Sequence, residues 1–507
     1  MRLGIDLGTG SLKIMAADEA GRPLGSASRP YRIAAPEPGA AETDTEEWIA
    51  ALREAWAELA AGLAAEGRDC RPEAIGLCGQ MHGVIPVDTN GRALHPALLW
   101  ADGRSGEFLN AFNILTAETR ADLMNAPAAG MAALGILWFK KHRRAVYDRT
   151  ACFLFPKDYI RLRLTGDVAT DRGDGSAGLL YDFRTRSWSA PVLSGLGIDA
   201  SKLPPIRSAF DRSGEVTATG VAATGLPAGV PVAVGSSDAA CALFGSGIFR
   251  PVLYPDTGAM PEAAKAAGNG PVQISVGSGA QVLEAVRRLP PFDPALNCYE
   301  SAVDGVFYRM AAMLNGGVAL EWVRSAVGIE WDEFYDDLGG DRVRLPDDLL
   351  FLPYLTGERT PYGNPDCRGA WIGLGLHHDR RQLLGAALLG VACTVRLGLE
   401  SLGVDAGRQV YLVGGSSRRE AWRVTLASVL ERELELCSVA DASALGAAQI
   451  GAASAAGTDA ASAVRFAPLP PVTERVVPRE LPWLGRYYRR FLDCYSALYG
   501  RGGAWTR

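Results

Sequence analysis

Asp6 and the turn that follows it, Gly8-Thr9-Gly10-Ser11, are the first residues in the chain whose types and spacing suit phosphate chemistry. A glycine-rich turn between two strands leaves main-chain N–H groups on its concave side, where phosphate oxygens can sit. Thr9 and Ser11 add hydroxyl donors, and Asp6 offers oxygens to a metal ion or its water shell. A second unit of the same kind lies about half a chain away. There the apolar run at 272–276 enters Gly277-Ser278-Gly279. Two strand–turn units suggest two related domains facing each other across a cleft. Neither unit is a GxxxxGK[ST] loop, and the first lacks the third glycine of a dinucleotide fingerprint. A dehydrogenase is thereby excluded, and a bound nucleotide is expected on two hairpin turns.

Three further groups of residues could do chemistry. Gln80-Met81-His82-Gly83 follows a buried strand at 74–78, and ligands of open α/β sheets sit beyond the carboxyl ends of strands. Gln80 and His82 can hydrogen-bond a polyhydroxylated substrate, although a lone turn histidine also serves structure alone. Trp100-Ala101-Asp102-Gly103-Arg104 sets an aromatic face beside an acid and a base, which suits a small sugar, or else is a loop salt bridge. Asp238 stands where the strand at 230–234 meets an Ala-rich helix at 239–244. The helix dipole favours its ionised form, and such a carboxylate can take a proton from a hydroxyl. Local pattern alone makes it an N-cap.

The elements that must hold these residues are legible from periodicity. Residues 1–7 alternate apolar and small or polar, and 13–33 read as a hairpin turning at 19–22. Thr43 and Glu46 form a capping-box pattern before a helix with Trp48, Ile49, Leu52, Trp56, Leu59 and Leu63 on one stripe. Residues 156–166 read as a short helix ended by Gly166, and 170–178 as a polar glycine-rich loop with Asp171 and Asp174. Residues 250–271 look like an inserted loop, 351–361 like an extended proline-bounded segment, and 380–401 like a long helix. The strand at 410–413 meets a third glycine turn, Gly414-Gly415-Ser416, suited to close approach by a base or ribose. The helix at 441–449 has a small-residue face expected to pack beside that turn. Residues 457–482 read as a Pro-rich loop, and Tyr487, Phe491, Tyr495 and Leu498 mark a closing amphipathic helix.

A chain of 507 residues can hold two to four domains. Its net charge of -6 argues against generic binding to nucleic acid or anionic membranes. The most apolar long segment, 226–249, contains two prolines and four glycines and makes a poor membrane span. Nine cysteines, an odd number without a C-x-x-C pair, fit free thiols in a reducing cytosol, and Met1 leads straight into a strand, so a cytoplasmic protein is expected. None of the five histidines has metal-ligand spacing.

Taken together, Asp6 to Gly10, Gln80 to Gly83, Trp100 to Arg104, 156–166, Asp238, Gly277 to Gly279, 351–361, Gly414-Gly415 and 444–448 resemble the FGGY carbohydrate kinases over about 1–455, with the closing helix also matching. The Gln80–Gly83 piece leans towards the xylulose-phosphorylating branch rather than the glycerol kinases. The resemblance implies an α/β, two-domain actin/hexokinase-like (ribonuclease H-like) ATPase fold with a central cleft. It implies an N-terminal domain at 1–248, a C-terminal domain at 249–456, and a Pro-rich linker with docking helix at 457–507. It implies ATP and Mg²⁺, a small sugar as substrate, and a possible homodimer without nucleic acid or membrane partners. Asp238 is then the catalytic base, and Asp6 with Asp238 lies near the metal. Gly8, Thr9, Gly10, Ser11, Lys13, Gly277, Ser278 and Gly279 face the phosphates, and Gly414, Gly415 and Ser416 the adenosine. Gln80, Met81, His82, Trp100, Asp102, Arg104 and Asp238 meet the sugar. The expected reaction is phosphorylation of a ketopentose, D-xylulose first. Another ketose, a polyol, glycerol or a linear signalling sugar such as autoinducer-2 is the alternative, and a non-kinase actin-like ATPase is a more distant one. The chain departs from the family at Ala239, where Asn is usual, at Gly135, where one signature has lysine, and at Leu389, where another ends in an acid. The loop at 250–271 is also longer.

Overall fold

The computed structural model describes residues 1–253, 269–337, 345–414, 418–437, 441–460, 462–466 and 472–500. The first mixed sheet has the order Arg212–Glu215, Pro231–Ala233, Ala74–Gly79, Arg2–Leu7, Ser11–Ala17, Pro23–Pro30, with Ser236–Ser237 also paired to Ala74–Gly79. The second has the order Asn297–Glu300, Phe307–Met313, Ala280–Val286, Asn269–Val276, Val410–Val413, Leu434–Cys437, Val472–Val476. Their centres repeat one plan. Arg2–Leu7 turns back on Ser11–Ala17 and lies parallel to Ala74–Gly79. Asn269–Val276 turns back on Ala280–Val286 and lies parallel to Val410–Val413. Each glycine turn thus sits at the carboxyl end of a central strand.

The apolar alternation of the first strand puts Leu3, Ile5 and Leu7 wholly inside, packed with Trp48, Leu52 and Leu59 of the Thr45–Ala65 helix. Arg380–Ser401 is, among the described residues, the one helix long and apolar enough to cross a membrane, and most of it is buried in the second core. The closing helix Leu484–Tyr499 docks there through Leu484, Tyr487, Tyr488, Phe491 and Tyr495.

Four local expectations change. The first long helix is capped by Asp44, which accepts from Glu46 N–H, because Thr43 is taken up in the Glu42–Thr43 strand paired with Ala97–Leu98. Residues 170–178 are a strand, Thr170–Asp171, and a buried helix, Arg172–Ala177, capped by Asp171. That polar stretch can go inside because Lys157 meets its acids. The 457–482 segment supplies Val472–Val476, whose largely exposed, charged residues suit an edge strand. Most of the 250–271 loop lies outside the described residues; Arg250–Leu253 is helical and Asn269 already begins a strand.

The fourth change concerns the small-residue helix Ala442–Ala455. It packs across the molecule on Arg2–Leu7 and Ala74–Gly79 and on the Asp238–Gly245 helix, and not chiefly beside the third glycine turn. A Cβ on Gly4 would lie 1.8 Å from the Ala444 carbonyl oxygen, and one on Gly76 1.7 Å from that of Ala447. Gly446 meets the Cys241 carbonyl in the same way at 1.9 Å. Backbones this close exclude any side chain. We expect Gly76→Ala to lower stability by about 1–3 kcal/mol through overpacking. Gly62→Ala, on an open helix face, is the control and is expected to be neutral or to stabilise by about 0.4–1 kcal/mol. Urea unfolding of the two variants checks this, and equal midpoints would refute the close-contact argument.

Candidate active site

Parallel register places Asp6 opposite Cys78, and Ser236 opposite the same residue, so three strands end together. Asp238 opens the Asp238–Gly245 helix just beyond them, with Ser237 as the N-cap. Burial and then the charge of Asp6 push the Asp238 carboxyl up to about 7, against a hydrogen bond from Ala239 N–H at 2.7 Å. The helix N-terminus therefore does not dominate, contrary to the expectation of a readily ionised group. Asp6 is also raised, chiefly by burial, and its Oδ1 is buried with no hydrogen-bond partner. An orphaned carboxylate oxygen beside a second enclosed carboxyl is a donor set that fits a hard divalent cation.

The first turn is held from below. Tyr31 Oη donates to the Gly8 carbonyl, and Gln80 Nε2 reaches the same oxygen at 3.3 Å and Tyr31 Oη at 3.2 Å. Trp100 Nε1 donates to Thr9 Oγ1 at 2.9 Å. Gln80 and Trp100, expected on the sugar, thus support the turn. Lys13, expected on phosphate, pairs with Asp441, the residue just before the Ala442–Ala455 helix. Gly10 and Gly277 have open space where a Cβ would be, as a phosphate cradle requires. In the second turn the Ser278 carbonyl accepts from Gly316 and Val318, and the Gly277 carbonyl from Gly317. Sequence reading missed Gly316 and Gly317, although Asn315-Gly316-Gly317 after an apolar strand was the available signal. Gly414 is left-handed at φ +89° beside Ser275, and Gly415 and Ser416 lie outside the described residues.

His82 adopts φ +71°, and its Nδ1–H donates to the Ala177 carbonyl at 2.8 Å. Burial pushes its pKa down to about 4, with the charge of Arg359 adding to this. A neutral ring with its proton on Nδ1 leaves Nε2 as an acceptor. The Tyr299 ring lies 6.0 Å away, and Tyr308 Oη contacts Met81 Sδ at 3.7 Å, so strands of the second sheet close over this loop. Asp102 and Arg104 form the loop salt bridge: Asp102 is buried and accepts from Ala41 N–H, while Arg104 also reaches Glu37 and Glu42 and lies over Trp138. Their charges meet inside the protein.

A buried ion cluster behind Asp238 gave no clear sequence signal. Lys157 Nζ lies 2.6 Å from Asp158, 3.0 Å from Asp171 and 3.2 Å from Asp174, all fully enclosed. Arg161 bonds Asp158 and the Val234 carbonyl, and Ser236 donates to Asp171. The cluster thereby fixes residues 234–237, which lead into Asp238. Burial opposes the Lys157 charge, but its three carboxylates outweigh it and raise its pKa. Burial, then the charges of Asp171 and Asp158, push Asp174 well above the ordinary carboxylate range, against the pull of Lys157. The family departures also find places. A Cβ on Gly135 would lie 2.7 Å from Val84, which leaves no room for a lysine, and Leu389 is wholly inside the second core.

Two mixed sheets, each with a glycine turn, and two carboxyls between them define an α/β kinase of the actin/hexokinase-like class. Residues 1–245 match the FGGY family of carbohydrate kinases, N-terminal domain, and 273–455 its C-terminal domain. The chain belongs to this family and is a carbohydrate kinase. The xylulose kinase of Escherichia coli is 29% identical over 454 residues, 89% of each chain. A crystal structure described as a xyloylose kinase from Brucella ovis superposes with a TM-score of 0.87 at 31% identity, covering 98% of this chain and 99% of that one. A gluconate kinase from Lactobacillus acidophilus shares the fold at a TM-score of 0.84 and 20% identity over 99% of each chain.

Two outcomes follow. Asp238 holds its proton above the unfolded value, so its contribution to stability falls as pH rises from about 4 to about 7 and is flat beyond. In EDTA, Asp238→Asn is expected to gain melting temperature over the parent across that window; a pH-independent difference would contradict it. Lys157→Met strands buried carboxylates and should cost about 3–5 kcal/mol. Exposed Lys141→Met should cost under about 1 kcal/mol by the same denaturation assay.

Proposed function

We propose that this kinase transfers the terminal phosphoryl group of ATP to a hydroxyl of a ketopentose, D-xylulose at its 5-hydroxyl first. The observation that carries the reading is Asp238, which opens the Asp238–Gly245 helix just beyond the strand ends that hold Asp6, with its carboxyl raised to about 7 by burial and by the charge of Asp6. Phosphoryl transfer has a loose transition state, so catalysis is mostly positioning and charge stabilisation. His82 Nε2 accepts from one sugar hydroxyl and Met81 covers an apolar face. Asp238, once ionised, orients the reacting hydroxyl and takes its proton late in the transfer. Asp6 and Asp238 would hold Mg²⁺, which when bound neutralises phosphate oxygens and lowers the Asp238 pKa. The turns at Gly8–Ser11 and Gly277–Gly279 face the phosphates, and Gly414 the adenosine. Tyr299 and Tyr308, reaching the sugar loop from the second sheet, favour closure that excludes water.

Ala239 supports a second reading within the same chemistry. Its N–H serves Asp238 and its methyl offers the sugar no hydrogen bond, so another ketose or polyol can be the better substrate. ADP release by the purified protein with MgATP, across ketoses and polyols, separates the two. D-xylulose is expected to give the highest kcat/KM, and Ala239→Asn to raise it further. A different winner moves the substrate and leaves the Asp238 assignment standing. Asp238→Asn is expected to cut kcat by at least about 10²-fold while sparing ATP binding. Near-normal turnover in that variant would overturn the base assignment.

A further inference from the structure

We propose that Asp348, His377 and His378 form a binding site for a divalent transition metal, Zn²⁺ by ligand class, distinct from the Asp6–Asp238 centre. No metal-ligand spacing is visible along the chain, but the fold brings these three residues together. Strands Leu350–Leu352 and Ala370–Ile372 pair antiparallel, with Leu350 opposite Ile372, which brings Asp348 against the loop running from Gly373 to Asp379. Gly373, at φ +96°, lies so close to the Asp348 carbonyl that a Cβ there would sit 2.7 Å from it. His377 Nε2 is then 3.1 Å from Asp348 Oδ2, and His378 Nε2 is 3.2 Å from Oδ1. Ligand atoms at two corners of a tetrahedral zinc site, each about 2.0 Å from the ion, are about 3.3 Å apart. The carboxylate–imidazole spacings already match that figure. All three donor atoms lie within 4.8 Å of one another, and the imidazole centroids are 4.0 Å apart, so a small ring movement brings both nitrogens onto one ion.

The frame around these groups is fixed. Arg490 of the closing helix donates to the carbonyls of Asp347 and Asp348 at 3.4 Å, below the carboxylate. Asp379 and Gln382 form a capping box that pins the residue after His378 at the head of the Arg380–Ser401 helix. The His378 side chain is buried, and the His377 side chain is 64% exposed and open to an entering ion. Two imidazoles and one carboxylate select zinc, copper or nickel over magnesium, and a water can complete the tetrahedron. Binding requires a proton shift on each ring, since both Nε2–H groups now donate to the Asp348 carboxylate. His378 Nδ1 now accepts from Gly375 N–H at 2.8 Å, so coordination through Nε2 moves the ring proton to Nδ1 and hands that N–H to water. Gly375 is exposed, so the exchange is available.

The test uses the full chain, stripped with chelator and titrated with Zn²⁺, and with Co²⁺ for its visible spectrum. Wild type is expected to bind one more equivalent than His377→Ala, to gain several degrees of melting temperature over that variant in zinc, and to show tetrahedral Co²⁺ bands that the variant lacks. Asp348→Asn is expected to weaken binding at least tenfold. Magnesium-dependent kinase activity of His377→Ala should equal that of wild type, which shows that the exposed substitution leaves the fold intact. Equal stoichiometry and equal thermal shift in wild type and His377→Ala would overturn the site.

Discussion

The close contact between the Ala442–Ala455 helix and the first sheet is the constraint on which the rest of the molecule depends. Gly4 and Gly76 on adjacent strands, and Gly245 and Gly446 on the crossing helices, let main chains meet with no side chain between them. That contact belongs to a helix from the second half of the chain lying on the sheet of the first. It carries Asp441, from the second half of the chain, to where Lys13 of the first sheet can pair with it. Interdigitating side chains would hold the halves further apart, whereas glycine against carbonyl oxygen fixes the separation at its minimum.

The site at Asp6 and Asp238 is electrostatically unfinished, and its surroundings show why it persists. Burial raises both Asp6 and Asp238, and the charge of Asp6 pushes Asp238 further up. A pair so placed costs stability in the free protein and gains it back when a cation and an anionic ligand arrive. The strand that leads to Asp238 is anchored by a second charged group of opposite design. Around Lys157 and Arg161 the charges are paired, enclosed and hydrogen-bonded, and Asp174 is held well above the ordinary carboxylate range. Rigid behind and unbalanced in front is an arrangement that holds a carboxyl in place while leaving its proton free to move.

Much of the architecture was readable because it is written in local physics. Period-two alternation marked the first strand, a 3.6-residue stripe marked the Trp48–Leu63 face, and Gly-x-Gly patterns after apolar runs marked both turns. The helix Arg380–Ser401 and the strand Val410–Val413 lie where apolar run length and flanking glycines place them. Local rules failed where a distant partner changed the answer. A polar, glycine-rich stretch at 170–178 reads as a loop until Lys157, in another helix, neutralises it. Asp102 and Arg104 read either as sugar ligands or as a loop salt bridge until Glu37 and Glu42 complete their network, and nothing local shows that Gln80 Nε2 reaches Tyr31 and the Gly8 carbonyl.

By itself, then, the sequence determined most of the elements, the two glycine turns, the family resemblance and the choice of Asp238 and Asp6 as the acids to watch, since each rests on residue types a few positions apart. Tertiary structure alone decided the ionisation of Asp238, the neutral tautomer of His82, the mate of the small-residue helix and the meeting of Asp348 with His377 and His378. Those depend on burial and on charges brought from tens or hundreds of residues away, and neither dielectric environment nor long-range proximity is encoded in any short stretch of chain.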